Sequence, residues 1–142
     1  MNPTLKNILV SIGGFILGLM VNMATLIMGM KIIPAPKGVE LSDPQSFIEN
    51  ADKFTSMHFI FPLLAHALGT FVASYFICRL VSGKQKLFAI GTGLVFLVLG
   101  FFNLQNIPHP TWFAVLDLFL SYIPMALFGF FVAMKTLEEP EI

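Results

Sequence analysis

The chain has one cysteine, one tryptophan and, over 142 residues, no net formal charge. With a single thiol, Cys78 has no partner for an internal disulfide, and a paired-thiol redox or metal centre is excluded. The 8 basic and 8 acidic residues cancel, so the chain lacks the positive field a polyanion needs, and nucleic-acid binding is excluded. Neither Gly-x-x-x-x-Gly-Lys-Ser/Thr nor Gly-x-Gly-x-x-Gly occurs, so no loop is built to cradle phosphate, and no His-Glu-x-x-His is present. His58, His66 and His109 with Asp117 lack a diagnostic ligand spacing, so neither a metal nor a cofactor is expected. Residue 2 is Asn and the sequence ends in Glu-Ile, which excludes the myristoylation and prenylation patterns.

Apolar residues are abundant. They make up 56% of the chain, charged residues only 11%, and the mean hydropathy is +0.84. Four runs, Ile8 to Met30, Phe59 to Val81, Leu87 to Leu104 and Trp112 to Met134, each have the length of a bilayer-spanning helix, about 20 residues for a hydrocarbon core of roughly 30 Å. Only Arg79 and Asp117 are charged within them. The expected fold is all-α: an antiparallel four-helix transmembrane bundle forming one membrane domain over residues 1–142. The first run exceeds an ordinary signal core and no small-x-small cleavage site precedes Lys31, so it is expected to stay in the protein. Trp112 and Tyr75 fall near opposite span ends, where amphipathic rings prefer the headgroup level.

The two later connections are short and require antiparallel neighbours. The first, residues 31–58, is long. Pro34-Ala35-Pro36-Lys37-Gly38 breaks the chain, and Ser42-Asp43-Pro44 offers a helix cap with proline at the first helical position. Phe47, Ala51 and Phe54 recur at helical spacing, which predicts a short amphipathic helix from Pro44 to about Ser56, an interfacial anchor more readily than a lid.

Small and polar residues mark the span interiors. Gly14, Gly18, Asn22, Thr25 and Gly29 share one face of the first helix, and Gly14-x-x-x-Gly18 is a close-packing pattern suited to an internal seam or a dimer contact. Gly69 lies on a second stripe with Pro62, His66 and Ala73. His66 falls roughly 12 Å below its span's outer end, deep enough that its ring nitrogens need partners. Asp117 lies inside the fourth span, where an unpaired carboxylate costs a few kcal/mol, so it should face the bundle interior. Ser121 and Pro124 extend its face, and Tyr122 is near enough to turn its hydroxyl inward. Asn22, His66, Asn103 and Asp117 are thus expected to line a polar cavity open to the outside, with Ser121 and Tyr122 beside it and His66 and Asp117 exchanging a proton.

The segments His58-Phe59-Ile60-Phe61-Pro62, Ala65-His66-Ala67-Leu68-Gly69-Thr70, Trp112-Phe113 and Asp117 to Ala126 resemble small four-span bacterial membrane proteins of uncharacterised families. The resemblance implies a bacterial cytoplasmic membrane and no particular activity. Three functional readings follow from the residues. One is binding or transport of a small ligand or proton through the outward cavity; another is a structural or accessory subunit, alone, as a homo-oligomer or with a membrane partner. The third, an intramembrane enzyme using the His66/Asp117 pair, ranks below both, because no nucleophile accompanies the pair.

Lys6, Arg79, Lys84, Lys86 and Lys135 all fall on one side of a four-span chain, and that side is expected to be cytoplasmic. A reporter fused to the C-terminus should therefore be active only in its cytoplasmic form. Activity confined to the outer face would reverse the orientation.

Overall fold

The computed structural model describes residues 2–41 and 43–138. Ser42, part of the expected cap, and the terminal Glu-Ile lie outside the described residues. Six α-helices make up the molecule: α1 (Pro3–Ile32), α2 (Pro44–Glu49), α3 (Ile60–Leu80), α4 (Gln85–Asn106), α5 (Thr111–Leu120) and α6 (Ile123–Glu138). With α5 and α6 counted as one span, four helical segments are long and apolar enough to cross a membrane, the arrangement of a multi-pass membrane protein. Among the described residues there is no strand.

The helix ends follow from local chemistry. Asn2 caps α1 by accepting from the Thr4 N–H at 2.9 Å, and Asp43 caps α2 by accepting from the Gln45 N–H at 3.0 Å. α2 is shorter than its apolar spacing predicts. Asn50 caps its end, donating to the Ser46 carbonyl from both its side chain at 2.7 Å and its backbone N–H at 3.2 Å, and the chain passes into single 3₁₀ turns at Ala51–Lys53 and Ser56–Phe59. Pro62 stands in the first turn of α3, where its missing N–H leaves no helical bond unmade. The turn between α3 and α4 needs positive φ at Gly83 (76°) and Lys84 (55°).

The fourth span differs most from its sequence pattern. A single helix is expected across Trp112 to Met134, but the chain turns at Ser121 and Tyr122 and restarts at Ile123. Pro124 is the cause. It cannot donate to the Leu120 carbonyl, and its ring crowds that carbonyl in a continuous helix.

α3 is the central helix, packed against α1 on one side and α4 and α6 on the others. The α1–α3 seam is made of small residues: Gly14, Gly18 and Gly29 are buried on α1, and Gly69 and Ala73 on α3. A methyl added to Gly18 would stand 2.7 Å from the Gly69 carbonyl oxygen, so the two backbones are in direct contact. The Gly-rich face of α1 is therefore used inside the chain. On its other side α3 meets α6 through Ser74, which donates to the Ala126 carbonyl at 2.6 Å. There a methyl on Gly129 would come within 2.6 Å of the Phe71 carbonyl oxygen. At the end bearing the chain termini, Asn7 accepts from the Ser82 N–H at 2.8 Å and Lys6 donates to the Ser82 hydroxyl at 3.3 Å, tying the start of α1 to the α3–α4 turn.

Lipid supplies no hydrophobic drive between helices, so the α1–α3 seam depends on close contact alone. Gly18→Leu should separate α1 from α3 and lower the melting temperature in nanodiscs by several degrees. Gly91→Ala, where a methyl would meet nothing within 4 Å, should leave it unchanged.

Candidate functional site

Three of the residues singled out from sequence meet in the core. His66 on α3 places Nδ1 2.8 Å from Oδ1 of Asp117 on α5, and the hydroxyl of Tyr122, in the α5–α6 turn, donates to Oδ2 of the same carboxylate at 2.7 Å. The Tyr122 oxygen is also 3.0 Å from His66 Nδ1, so the three groups close a ring of contacts. Asp117 is completely buried and Tyr122 nearly so, while the His66 side chain keeps 13% of its surface accessible.

The break in the fourth span makes this geometry possible. In an unbroken helix, residues five apart point roughly 140° away from each other, and Tyr122 would face away from Asp117. The turn at Ser121–Tyr122 brings the phenol back over the carboxylate. α4 then makes room for it at Gly100, where any Cβ would collide with the Tyr122 hydroxyl and ring. Gly100 is the residue of the site that hydropathy and charge do not mark. Its only sequence signal is a glycine inside an apolar helix, which reports close approach of something without naming it.

Donor counting fixes the histidine. A carboxylate that accepts from Tyr122 at Oδ2 takes the Nδ1 proton of His66 at Oδ1, so that in the neutral imidazole the lone pair is on Nε2. Nε2 has no protein partner among the described residues and is not buried. His66 is one of the residues lining a cavity of about 250 Å³ at the end of the bundle that carries the long first connection.

The lining of that cavity is mainly apolar. Phe47, Phe54, Phe59, Phe61 and Phe113 contribute rings, and α1 contributes Met23, Leu26 and Met30. His66, His58, His109 and Asn103 are the polar side chains on it. Asn103 is exposed and reaches the wall from α4; Asn22 instead lies on the α1–α3 seam beside Gly69 and makes no hydrogen bond. Asp117 lies behind His66 rather than on the wall, because both its oxygens are used by His66 and Tyr122. Ser121 is buried, and its hydroxyl has no hydrogen-bond partner. The space is therefore a mainly apolar pocket with the His66 imidazole on its wall, beside the polar side chains of His58, His109 and Asn103.

The water side of the pocket is roofed by the first connection. The Phe47 and Phe54 rings pack 4.3 Å apart, and Phe54 meets His58 edge-on at 5.4 Å. His58 accepts from the Thr55 N–H through Nδ1 at 3.1 Å, so its Nε2–H donates to the Pro34 carbonyl at 3.3 Å and fastens the start of the connection to the entry of α3. Among the described residues no group of three His, Cys, Asp or Glu side chains is gathered to hold a metal ion.

Tyr122→Phe removes one donor from a fully buried carboxylate and should cost about 1–3 kcal/mol of stability, measured by denaturation in mixed micelles. Gly100→Ala should cost at least as much, and combining it with Tyr122→Phe should cost less than the two losses added, since both act on one contact. No family model, curated protein or solved structure matches the chain, so the imidazole, its carboxylate and the pocket in front of them are what its function has to be read from.

Proposed function

We propose that this membrane protein binds a small, mainly apolar ligand carrying one hydroxyl donor in the pocket at the loop end of the bundle, and that His66 Nε2 takes that donor's hydrogen bond. The observation that carries the reading is His66 on a mainly apolar wall, with Nδ1 already committed to Asp117 and Nε2 without a protein partner among the described residues. An acceptor oriented in this way, with little water near it, holds a hydroxyl far better than a hydrocarbon of the same shape. If the ligand's proton moves to Nε2, the Asp117 carboxylate stabilises the imidazolium that forms. Ligand binding with proton exchange is the chemistry this arrangement supports, whether the protein releases its ligand on the same side or passes it across. In the orientation drawn from the basic residues, the pocket lies towards the outer face of a bacterial cytoplasmic membrane.

A structural or accessory role is the second reading, favoured by the same triad seen as a tie between α3 and the broken fourth span, with Ser74 and Ala126 as a second tie.

Trp112 provides a native reporter, since its ring meets Phe59 at 6.5 Å and Phe113 at 6.1 Å and both of those line the pocket. Titrating para-butylphenol into nanodisc-embedded protein should shift Trp112 fluorescence saturably, and His66→Phe should weaken the binding at least tenfold. The methyl ether of the same phenol, which has no donor, should bind the wild type as poorly as the phenol binds the variant. Equal binding of phenol and ether, or no saturable binding, would leave the accessory role as the better reading.

A further inference from the structure

We infer that the pocket is filled sideways, from the hydrocarbon phase of the membrane, through a cleft between α1 and α4. The inference rests on the ligand reading above and adds the route and the phase from which the ligand comes. α1 packs along α3, and its contact with α4 is limited. The two helices meet where the Phe15 and Phe96 rings pack at 5.6 Å and where Phe96 reaches the edge of Gly18. Towards the loop end the walls of the pocket include Met23 and Met30 of α1 and Asn103, Leu104 and, just past the end of α4, Ile107.

Three of these wall residues also belong to the outer surface. Met23 is 56% exposed, Met30 44% and Ile107 38%, although each borders the cavity. Met23 and Met30 lie in the loop-side half of the spanning helix α1 and Ile107 directly follows α4, so on this reading the outer side of the cleft meets acyl chains. The water-facing side, by contrast, is closed by the Phe47, Phe54 and His58 cluster and by the His58 to Pro34 bond. Methionine suits the rim of such a cleft, because its unbranched thioether changes rotamer easily and can swing aside for a passing molecule.

The occupant this route admits is a membrane-dissolved hydrophobe with a hydroxyl group. Its apolar body can leave the lipid for the phenylalanine-lined pocket without crossing water, and its hydroxyl, poorly satisfied among acyl chains, gains His66 Nε2 as acceptor on arrival. A charged or strongly hydrated solute has no path through the cleft.

Rates separate the routes, since equilibrium occupancy does not depend on the path taken. In stopped-flow measurements of Trp112 fluorescence with para-butylphenol, Met23→Phe combined with Ile107→Phe should slow association and dissociation together by about tenfold. Loss of a binding contact would instead speed dissociation. A second measurement uses the unaltered protein: a phospholipid with a diazirine in its acyl chain should label Met23 or Met30, and para-butylphenol should suppress that labelling. Saturable, His66-dependent binding with unchanged rates in the double variant, or with no lipid labelling at the cleft, overturns the lateral route and leaves the function standing. No saturable binding to the wild type overturns both.

Discussion

A carboxylate in the middle of a membrane bundle has to be paired, and the pairing of Asp117 organises much of this protein. Both oxygens are occupied, one by an imidazole from α3 and one by a phenol from the turn that ends α5. Each partner makes its own demand on the chain. The phenol can reach only because the fourth span breaks before Pro124, and it fits only because α4 carries no side chain at Gly100. The imidazole satisfies Asp117 with one nitrogen, which leaves the other to face the pocket. One buried charge thus accounts for a helix break, a glycine and the polarity of the pocket base. An unpaired carboxylate there would cost several kcal/mol, and a bundle of this size has little stability to spare.

The remaining packing is of another kind. Apolar side chains face outward over most of every span, as expected where the solvent is itself hydrocarbon, and the helices are held by close approach and a few interhelical hydrogen bonds. The α1–α3 seam sets the α1 glycines against the Phe61, Ala73 and Ile77 side chains and the Gly69 carbonyl, while the α3–α6 seam adds the bond from Ser74 to Ala126. α3 therefore carries two different interfaces on opposite faces. His66 sits close to the boundary between them, which is how a residue paired towards α5 also borders a space walled by α1.

The four spans were legible because hydrocarbon length and apolar composition are sequence-local quantities, and the inward faces of α1 and α3 were legible because glycine at steps of four residues can hardly serve anything else. The meeting of His66, Asp117 and Tyr122 was partly legible: ionisable groups at similar depth in a small bundle have few other partners. The polarity of the cavity was not. Phe47, Phe54, Phe59 and Phe61 converge on it with the distant Phe113, and no periodicity within one helix reports a convergence between elements. The expected length of α2 failed for a local reason, since an apolar stripe is blind to a backbone that leaves the α-helix at Asn50 and goes on in a 3₁₀ turn.

Every group in the triad lies at or beyond residue 66, on α3 or in the broken fourth span, and α1 donates and accepts nothing there. On the proposed reading, the chain thus divides its labour between an amino-terminal helix that helps to wall the pocket and a later part that holds the His66, Asp117 and Tyr122 triad. On that reading the two can drift separately under selection: side chains along α1 can be exchanged to admit broader or narrower molecules while the triad is inherited unaltered.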